Sequence, residues 1–308
     1  MSKTRILVLG ATGQVGKLIS DNLKNDSSLE LVVATRNKEK IDQLASTYGQ
    51  AVYIDLDKPQ TFAPALKGIN RLFLLTGYSV SMLVQSKTVI DAAITAAVEH
   101  IVHLGVYSEQ WNCTAPHFAW HQMIEVYIKN SPLKWTFLHP NCFLQNLTAF
   151  SVISQGKLRW YTTKPCGWIA LEDVGESAAC ILREGPDKHH AREYWFSTES
   201  LDVYKLADVL SEVTGTRVTA VPRPPGFFIP DMGSDPKTID PYFFSVAESC
   251  QQIEDGRMSY IGNVRDDVPV LLNRNGLTVR KWADIHKAEL IKLATGQSGK
   301  DMNWGKSV

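Results

Sequence analysis

Near the N-terminus a short apolar strand, Arg5-Ile-Leu-Val-Leu9, runs directly into Gly10-Ala-Thr-Gly-Gln-Val-Gly16. The chain then continues as a helix whose apolar positions Val15, Leu18, Ile19 and Leu23 share one face. Glycines at 10, 13 and 16 let the backbone turn sharply and let the helix approach the strand closely. The first helical N–H groups then converge at the positive end of the helix dipole, where a pyrophosphate is held well. A glycine triplet alone is a weak signal. Between a strand and an amphipathic helix it becomes a strong indication of a dinucleotide site. The alternative is a shell of the same shape that holds no nucleotide.

Strand and helix patterns alternate through the first half. Apolar runs at Leu29–Thr35, Gln50–Ile54, Arg71–Leu75, His100–Leu104 and Lys134–His139 predict five further strands. Helices are expected over Lys38–Thr47, Pro59–Leu66, Ser79–Val98 and Phe118–Lys129. Uniformly apolar strands separated by amphipathic helices imply an α/β fold, a Rossmann-type doubly wound parallel sheet covered on both faces. Ligand then belongs at the carboxyl ends of the strands. Further on, a helix over Cys142–Ser154 is expected, followed by a turn-rich stretch from Gly156 to Gly167. Trp168–Leu171, a helix over Glu172–Arg183 and a strand over Glu193–Phe196 read as returning to the main domain. A helix over Leu201–Val213, a strand near Arg217–Val221, a proline-rich run from Pro222 to Pro230 and two more helical segments complete the chain. The expected division is a nucleotide-binding domain over residues 1–155 and 168–198. A smaller, interleaved α+β C-terminal substrate region takes residues 156–167 and 199–308.

The 308 residues carry 32 basic and 32 acidic side chains, a balance that argues against nucleic acid or an anionic membrane as partner. No apolar run is long enough to span a bilayer, and Met1-Ser-Lys-Thr leaves no room for a signal peptide. Five cysteines without a CxxC pair fit reduced thiols in the cytoplasm better than a disulfide framework or structural zinc.

A free ribose 2′-hydroxyl is usually gripped by a carboxylate at the tip of the second strand. Here that strand ends Val33-Ala34-Thr35-Arg36, and Lys40 follows one helical turn later. A guanidinium at this place can stack on adenine and hold a 2′-phosphate. NADP(H) is therefore the expected cofactor, against the plainer reading of a solvated basic helix start.

These residues together resemble the NmrA-like family of atypical short-chain dehydrogenases/reductases. The resemblance rests on the glycine motif, Thr35-Arg36, Asp55, Leu74-Leu-Thr-Gly77, Ile90-Asp-Ala-Ala93, Ala97–Val102, and Thr136–Phe143 with Asn146. It covers about residues 4–200. The family includes NADPH-dependent quinone, isoflavone-type and triphenylmethane dye reductases, and catalytically silent redox-sensing regulators. The resemblance implies that Gly10, Ala11, Thr12, Gly13, Gln14, Val15 and Gly16 hold the pyrophosphate, and that Arg36 and Lys40 hold the 2′-phosphate. It further implies Asp55 and Leu56 near the adenine, Thr76, Gly77 and Tyr78 beside the ribose and nicotinamide, and Pro140, Asn141 and Phe143 on the far side.

The chain departs from the short-chain dehydrogenase pattern at the catalytic pair. None of its ten tyrosines is followed by lysine four residues later, and Leu104 at the end of the fifth strand is followed by Gly105-Val106-Tyr107 where a serine often stands. Many NmrA-like reductases keep one lysine in a His-Phe-x-x-Lys-x-x-x-Glu stretch; here the residues are His117-Phe-Ala-Trp-His121-Gln-Met-Ile-Glu125. His121 can bond the ribose or relay a proton, pack a helix face, or join His117 and Glu125 as a metal set. The last reading lacks an HExxH pattern and any family support, so no metal is expected. Without a tyrosine–lysine acid, hydride transfer to an electron-poor acceptor is the expected chemistry: a quinone, an imine or iminium, or a dye-like cation. His121 and Tyr78 are the expected catalytic residues. Aromatic residues Phe143, Trp160, Tyr161, Trp168, Phe227 and Phe228 are available for a cleft wall, for core or for contacts in a homodimer. The rival expectation is an NADP(H)-binding redox-sensing regulator.

Overall fold

The computed structural model describes residues 3–149, 152–233 and 240–297. Six strands, β1 (Thr4–Val8), β2 (Leu29–Thr35), β3 (Gln50–Tyr53), β4 (Arg71–Leu74), β5 (His100–Leu104) and β6 (Lys134–Pro140), alternate with helices. The helices are α1 (Gln14–Leu23), α2 (Ile41–Tyr48), α3 (Phe62–Leu66), α4 (Met82–Thr95) and α5 (Pro116–Lys129). The main sheet has eight strands, in the order Arg265–Asp266, Arg192–Ser197, β6, β5, β4, β1, β2, β3. All are parallel except the antiparallel edge strand Arg265–Asp266. The order reverses between β1 and β4, which is where a doubly wound sheet opens its ligand crevice.

Strand alternation divides the core. Ile6, Val8, Val33, Phe73, Val102 and Leu138 face α1 and the helix Leu171–Glu184. Leu7, Val32, Leu72, Leu74, Ile101 and Phe137 face α3, α4 and α5. Each central strand is thus apolar on both faces, as the continuous hydrophobic runs require. A third core, built around Leu158, Trp168, Leu206, Leu210, Ile253, Tyr260 and Trp282, holds the C-terminal lobe.

The expected long helix over 142–154 is absent. Cys142–Phe143 and Ile153–Ser154 are strands, and only Asn146–Ala149 is helical; residues 150 and 151 lie outside the described residues. The Asn141 side chain accepts the Cys142 N–H (2.9 Å), a local bond that competes with helix initiation. Trp168–Leu171 also differs: the strand Cys166–Ile169 belongs to a separate three-stranded sheet with Cys142–Phe143 and Glu199–Leu201. A second small sheet joins Ile153–Ser154, Lys157–Trp160 and Thr219–Pro222. Beyond Pro230, four α-helices follow among the described residues where two segments were expected: Pro241–Glu254, Val268–Leu272, Val279–Ile285 and Lys287–Ala294.

The helix Leu171–Glu184 lies against α1 at Gly175, where an added Cβ would stand 2.6 Å from Leu18 Cβ. Gly175→Val is expected to destabilise the fold by about 1–3 kcal/mol through overpacking, measured as a lowered urea midpoint with unchanged slope.

Candidate functional site

The turn after β1 is shaped by its glycines. Gly10 adopts φ +68°, and a Cβ there would meet Leu75 Cδ2 at 2.6 Å. The Gly13 N–H donates to the Gly10 carbonyl (2.8 Å). Gly13 caps α1 with no side-chain acceptor, and the first turn carries no acid. Ala11 and Val15 are buried, whereas Thr12 and Gln14 are exposed. Gly16 must be glycine for a separate reason: a Cβ would lie 2.3 Å from the Gly10 carbonyl oxygen. Helix and turn therefore touch backbone to backbone, and the helix start is left without a protein anion. These features fit a pyrophosphate.

At the tip of β2, Thr35 Oγ1 accepts the Asn37 N–H (3.1 Å) and Asn37 Oδ1 accepts the Glu39 N–H (2.9 Å). These bonds shape the loop while leaving Arg36 and Lys40 exposed, and no carboxylate pairs with either among the described residues. Asp55, beside them at the end of β3, is already engaged. It pairs with Lys58 (2.7 Å) and accepts from the Tyr53 hydroxyl (3.1 Å) and the Asp57 N–H (3.2 Å). The Lys58 bond chiefly holds its carboxyl below the usual range. Leu56 packs against the core on the α4 side. The loop thus presents unpaired positive charge at Arg36 and Lys40, and a neutralised carboxylate at Asp55.

The segment after β4 enters the same edge. Thr76 is buried and its hydroxyl lies 3.1 Å from Ser86 Oγ on α4. Gly77 and Tyr78 follow, both half-buried. Tyr78 Oη lies 3.1 Å from His121 Nε2, and His121 Nδ1 lies 3.1 Å from His103 Nε2. The two residues expected to be catalytic are thus brought into direct contact. Tyr242, from the helix Pro241–Glu254, stacks on Tyr78 with ring centroids 4.4 Å apart and planes 3° from parallel. His117 Nδ1 lies 2.6 Å from Ser245 Oγ, which also accepts the His117 backbone N–H (2.8 Å). His117 and His121 are thus committed to different partners.

This cluster is electrically neutral. Burial holds the His121 imidazole well below its usual pKa, with His103, His117 and His139 adding repulsion. Burial likewise lowers His103 and His117 to about 3 and His139 to about 4. Burial pushes the Tyr78 phenol up, so it stays protonated. Glu125, one turn beyond His121, is pushed up to about 8 by burial and then by Glu193.

On the far side, Pro140 ends β6 and Phe143 pairs with Ile169. Asn141 is buried, and its Nδ2–H donates to the Ile261 carbonyl (2.9 Å), so its side chain stitches the lobes together. Trp160 packs against the C-terminal core, which contains Trp168, and the two rings lie 5.1 Å apart. Tyr161 is buried, with its hydroxyl donating to Asp231 (3.1 Å). Phe227 is exposed beneath the Arg223 guanidinium. Sequence reasoning missed His103, Tyr242 and Ser245. A polar residue within the otherwise apolar run His100–Leu104 was a signal for the first. Tyr242 and Ser245 carry none, since only tertiary folding brings them to Tyr78 and His117.

These burials set a pH dependence. Between about pH 6.5 and 3 the unfolded chain binds protons that folded His103 and His117 refuse, and His121 acts in the same direction, so the stability these imidazoles contribute is complete above 6.5 and falls as pH drops. Glu125 acts oppositely: protonated in the fold, its contribution is lost as pH rises from 4.5 through 8. The urea midpoint is expected to be lower at pH 5 than at pH 6.5, and to decline again by pH 8. A flat profile would show these groups to be solvated.

The chain is 24% identical over 286 residues to the NAD(P)H azoreductase of Xenophilus azovorans, covering 92% of this chain and 98% of the relative. The triphenylmethane reductase of Citrobacter sp. in complex with NADP(H) superposes with TM-score 0.76 at 24% identity, over 94% of this chain and 99% of the other. NmrA, a negative transcriptional regulator, in its complex with NADP superposes with TM-score 0.72 at 17% identity, over 98% and 99%. The model of the NmrA-like family matches residues 2–245, and this chain belongs to that family.

Proposed function

We propose that this chain is an NADPH-dependent reductase that transfers hydride to a conjugated or cationic small molecule such as a quinone, an imine or iminium, or a dye cation. The observation that carries the reading is the pairing of an anion-ready glycine turn with unpaired Arg36 and Lys40 at the tip of the next strand. Backbone N–H groups at Gly13–Gly16 hold the pyrophosphate, and Arg36 takes the 2′-phosphate through charge-assisted bonds, with Lys40 adding positive charge. Gly10 lets the chain pass close to Leu75, which leads into Thr76, Gly77 and Tyr78 along the ribose and nicotinamide. Asp55 and Leu56 border the adenine; Pro140, Asn141 and Phe143 line the far side. When bound, the reduced nicotinamide supplies the hydride. The protein orients the acceptor, excludes water and surrounds the reacting centre with neutral groups. An uncharged wall of Tyr78, His121 and Tyr242 suits a flat acceptor that is itself electron-poor. Azo, dye and quinone reductases among the similar proteins support this chemistry.

A redox-sensing regulator is the second reading. The departure from the Tyr-x-x-x-Lys pattern and the likeness to NmrA favour it. NADPH consumption in the presence of quinones, imines and triphenylmethane dyes separates the two. A reductase consumes NADPH with at least one acceptor, whereas a sensor binds both oxidation states unequally and consumes none.

Arg36→Ala is expected to weaken NADPH binding by about 1.5–3 kcal/mol, the worth of one charged hydrogen bond, while NADH binding changes little. Calorimetric titration of both nucleotides checks it, and equal weakening would remove Arg36 from the 2′-phosphate.

A further inference from the structure

Arg36 stands exposed at the end of β2, and a carboxylate leaves the neighbouring strand beside it. Thr35 is in register with Tyr53, and the Ile54 N–H donates to the Thr35 carbonyl (3.1 Å). Arg36 and Asp55 therefore leave the sheet edge next to one another, just past the last paired residues. A guanidinium and a carboxylate so placed are natural partners. Such a pair would cancel the charge that a 2′-phosphate needs. Among the described residues Arg36 nevertheless makes no ion pair, with Asp55 or with Glu39 and Asp42 that follow it in the chain.

We infer that Lys58 determines cofactor specificity: by occupying Asp55 it keeps Arg36 open and spares a 2′-phosphate the repulsion of a bare carboxylate. This inference rests on the NADPH reading above and adds a residue that need not touch the nucleotide. Lys58 is a positioning residue, acting through Asp55.

The local fold is built to hold that pairing. The Lys58 N–H donates to the Asp55 carbonyl (2.8 Å), closing a tight turn that Pro59 follows. Thr61 Oγ1 accepts the Asp55 N–H (3.1 Å) and donates to the Lys58 carbonyl (2.8 Å), so both ends of the turn are fixed. The Lys58 ammonium then returns over the carboxylate at 2.7 Å. Both Asp55 oxygens are in use: Oδ2 accepts from Lys58 and the Tyr53 hydroxyl, and Oδ1 accepts the Asp57 N–H. The next acid is occupied too, since Gln85 on α4 donates to Asp57 Oδ1 (2.6 Å). Lys38 lies over the Tyr53 ring, 4.8 Å from its centroid, so this cation is turned toward β3. Arg36 and Lys40 remain for the phosphate.

The test measures NADPH and NADH affinity of the full chain by calorimetric titration, and reads the ratio of the two dissociation constants. Lys58→Met is expected to cut the preference for NADPH about fivefold, the most that one exposed ion pair is usually worth, with NADH affinity held. Lys58→Arg, which keeps the charge, is expected to preserve the ratio. Asp55→Asn alters both nucleotides through the adenine end, and in that background Lys58→Met is expected to leave the ratio almost unchanged. Three results would overturn the inference while leaving the NADPH reading intact. An undiminished effect of Lys58→Met without Asp55 would mean that the ammonium meets the phosphate itself. Equal weakening of both nucleotides would make Lys58 a brace for the fold, and an unchanged ratio would remove it from selectivity. A wild type that binds neither nucleotide, or shows no preference for NADPH, would instead bring down the NADPH reading and this inference with it.

Discussion

The contact between Gly16 and the Gly10 carbonyl governs the geometry of the whole site. With 2.3 Å between that oxygen and any Cβ at Gly16, α1 can rest on the turn only because no side chain intervenes. Everything on that face of the sheet is placed in consequence. The helix Leu171–Glu184 closes on α1 at Gly175, and their shared apolar residues complete the core over β1, β4 and β5. On the other side of the turn, Gly10 admits Leu75 and so draws the segment bearing Thr76 and Tyr78 alongside. One backbone approach thus sets both the proposed phosphate cradle and the position of the phenol.

Charge is distributed unevenly along the proposed binding path. Arg36 and Lys40 stand in solvent, where a phosphate can be met without desolvating a buried cation. Near Tyr78 the imidazoles of His103, His117 and His121 are neutral, because burial makes the imidazolium too costly. Such a wall neither repels a cationic dye nor traps it as a salt bridge. It still offers directional hydrogen bonds, which are stronger in a low dielectric. On the proposed reading, positive charge would select at the far end and hydrogen-bond geometry would act near the nicotinamide.

The sheet was legible because its strands are apolar on both faces and its helices on one, a periodic signal that survives without tertiary knowledge. The turn was legible because glycine spacing reports backbone proximity. The local error at 142–154 came from apolar residues whose short run suits strand and helix alike. Asn141 decided the matter by bonding the Cys142 N–H and the Ile261 carbonyl, the second of which lies 120 residues away. Tyr78 and His121 could be singled out separately from strand-end position and from the lysine pattern. Their direct contact could not, since it depends on how α5 packs over β5.

The C-terminal lobe explains why that contact is held. Asn141 reaches Ile261, and Ser197 donates to the Asn263 carbonyl (2.8 Å), so the lobe is fastened to the sheet at the ends of β6 and of the neighbouring strand. The same lobe carries the helix Pro241–Glu254, whose Tyr242 and Ser245 sit one helical turn apart and reach Tyr78 and His117 respectively. A lysine on α5 would act through its charge and need little help from elsewhere. A neutral histidine acts only through the direction of its hydrogen bonds, so both ring nitrogens must be fixed and the phenol must be held in plane. The stacking surface on Tyr78 comes from this lobe, while His103 on β5 supplies the partner for Nδ1. With histidine at 121, the orientation of the proposed site rests on tertiary packing, which links the C-terminal lobe to the carboxyl edge of the sheet.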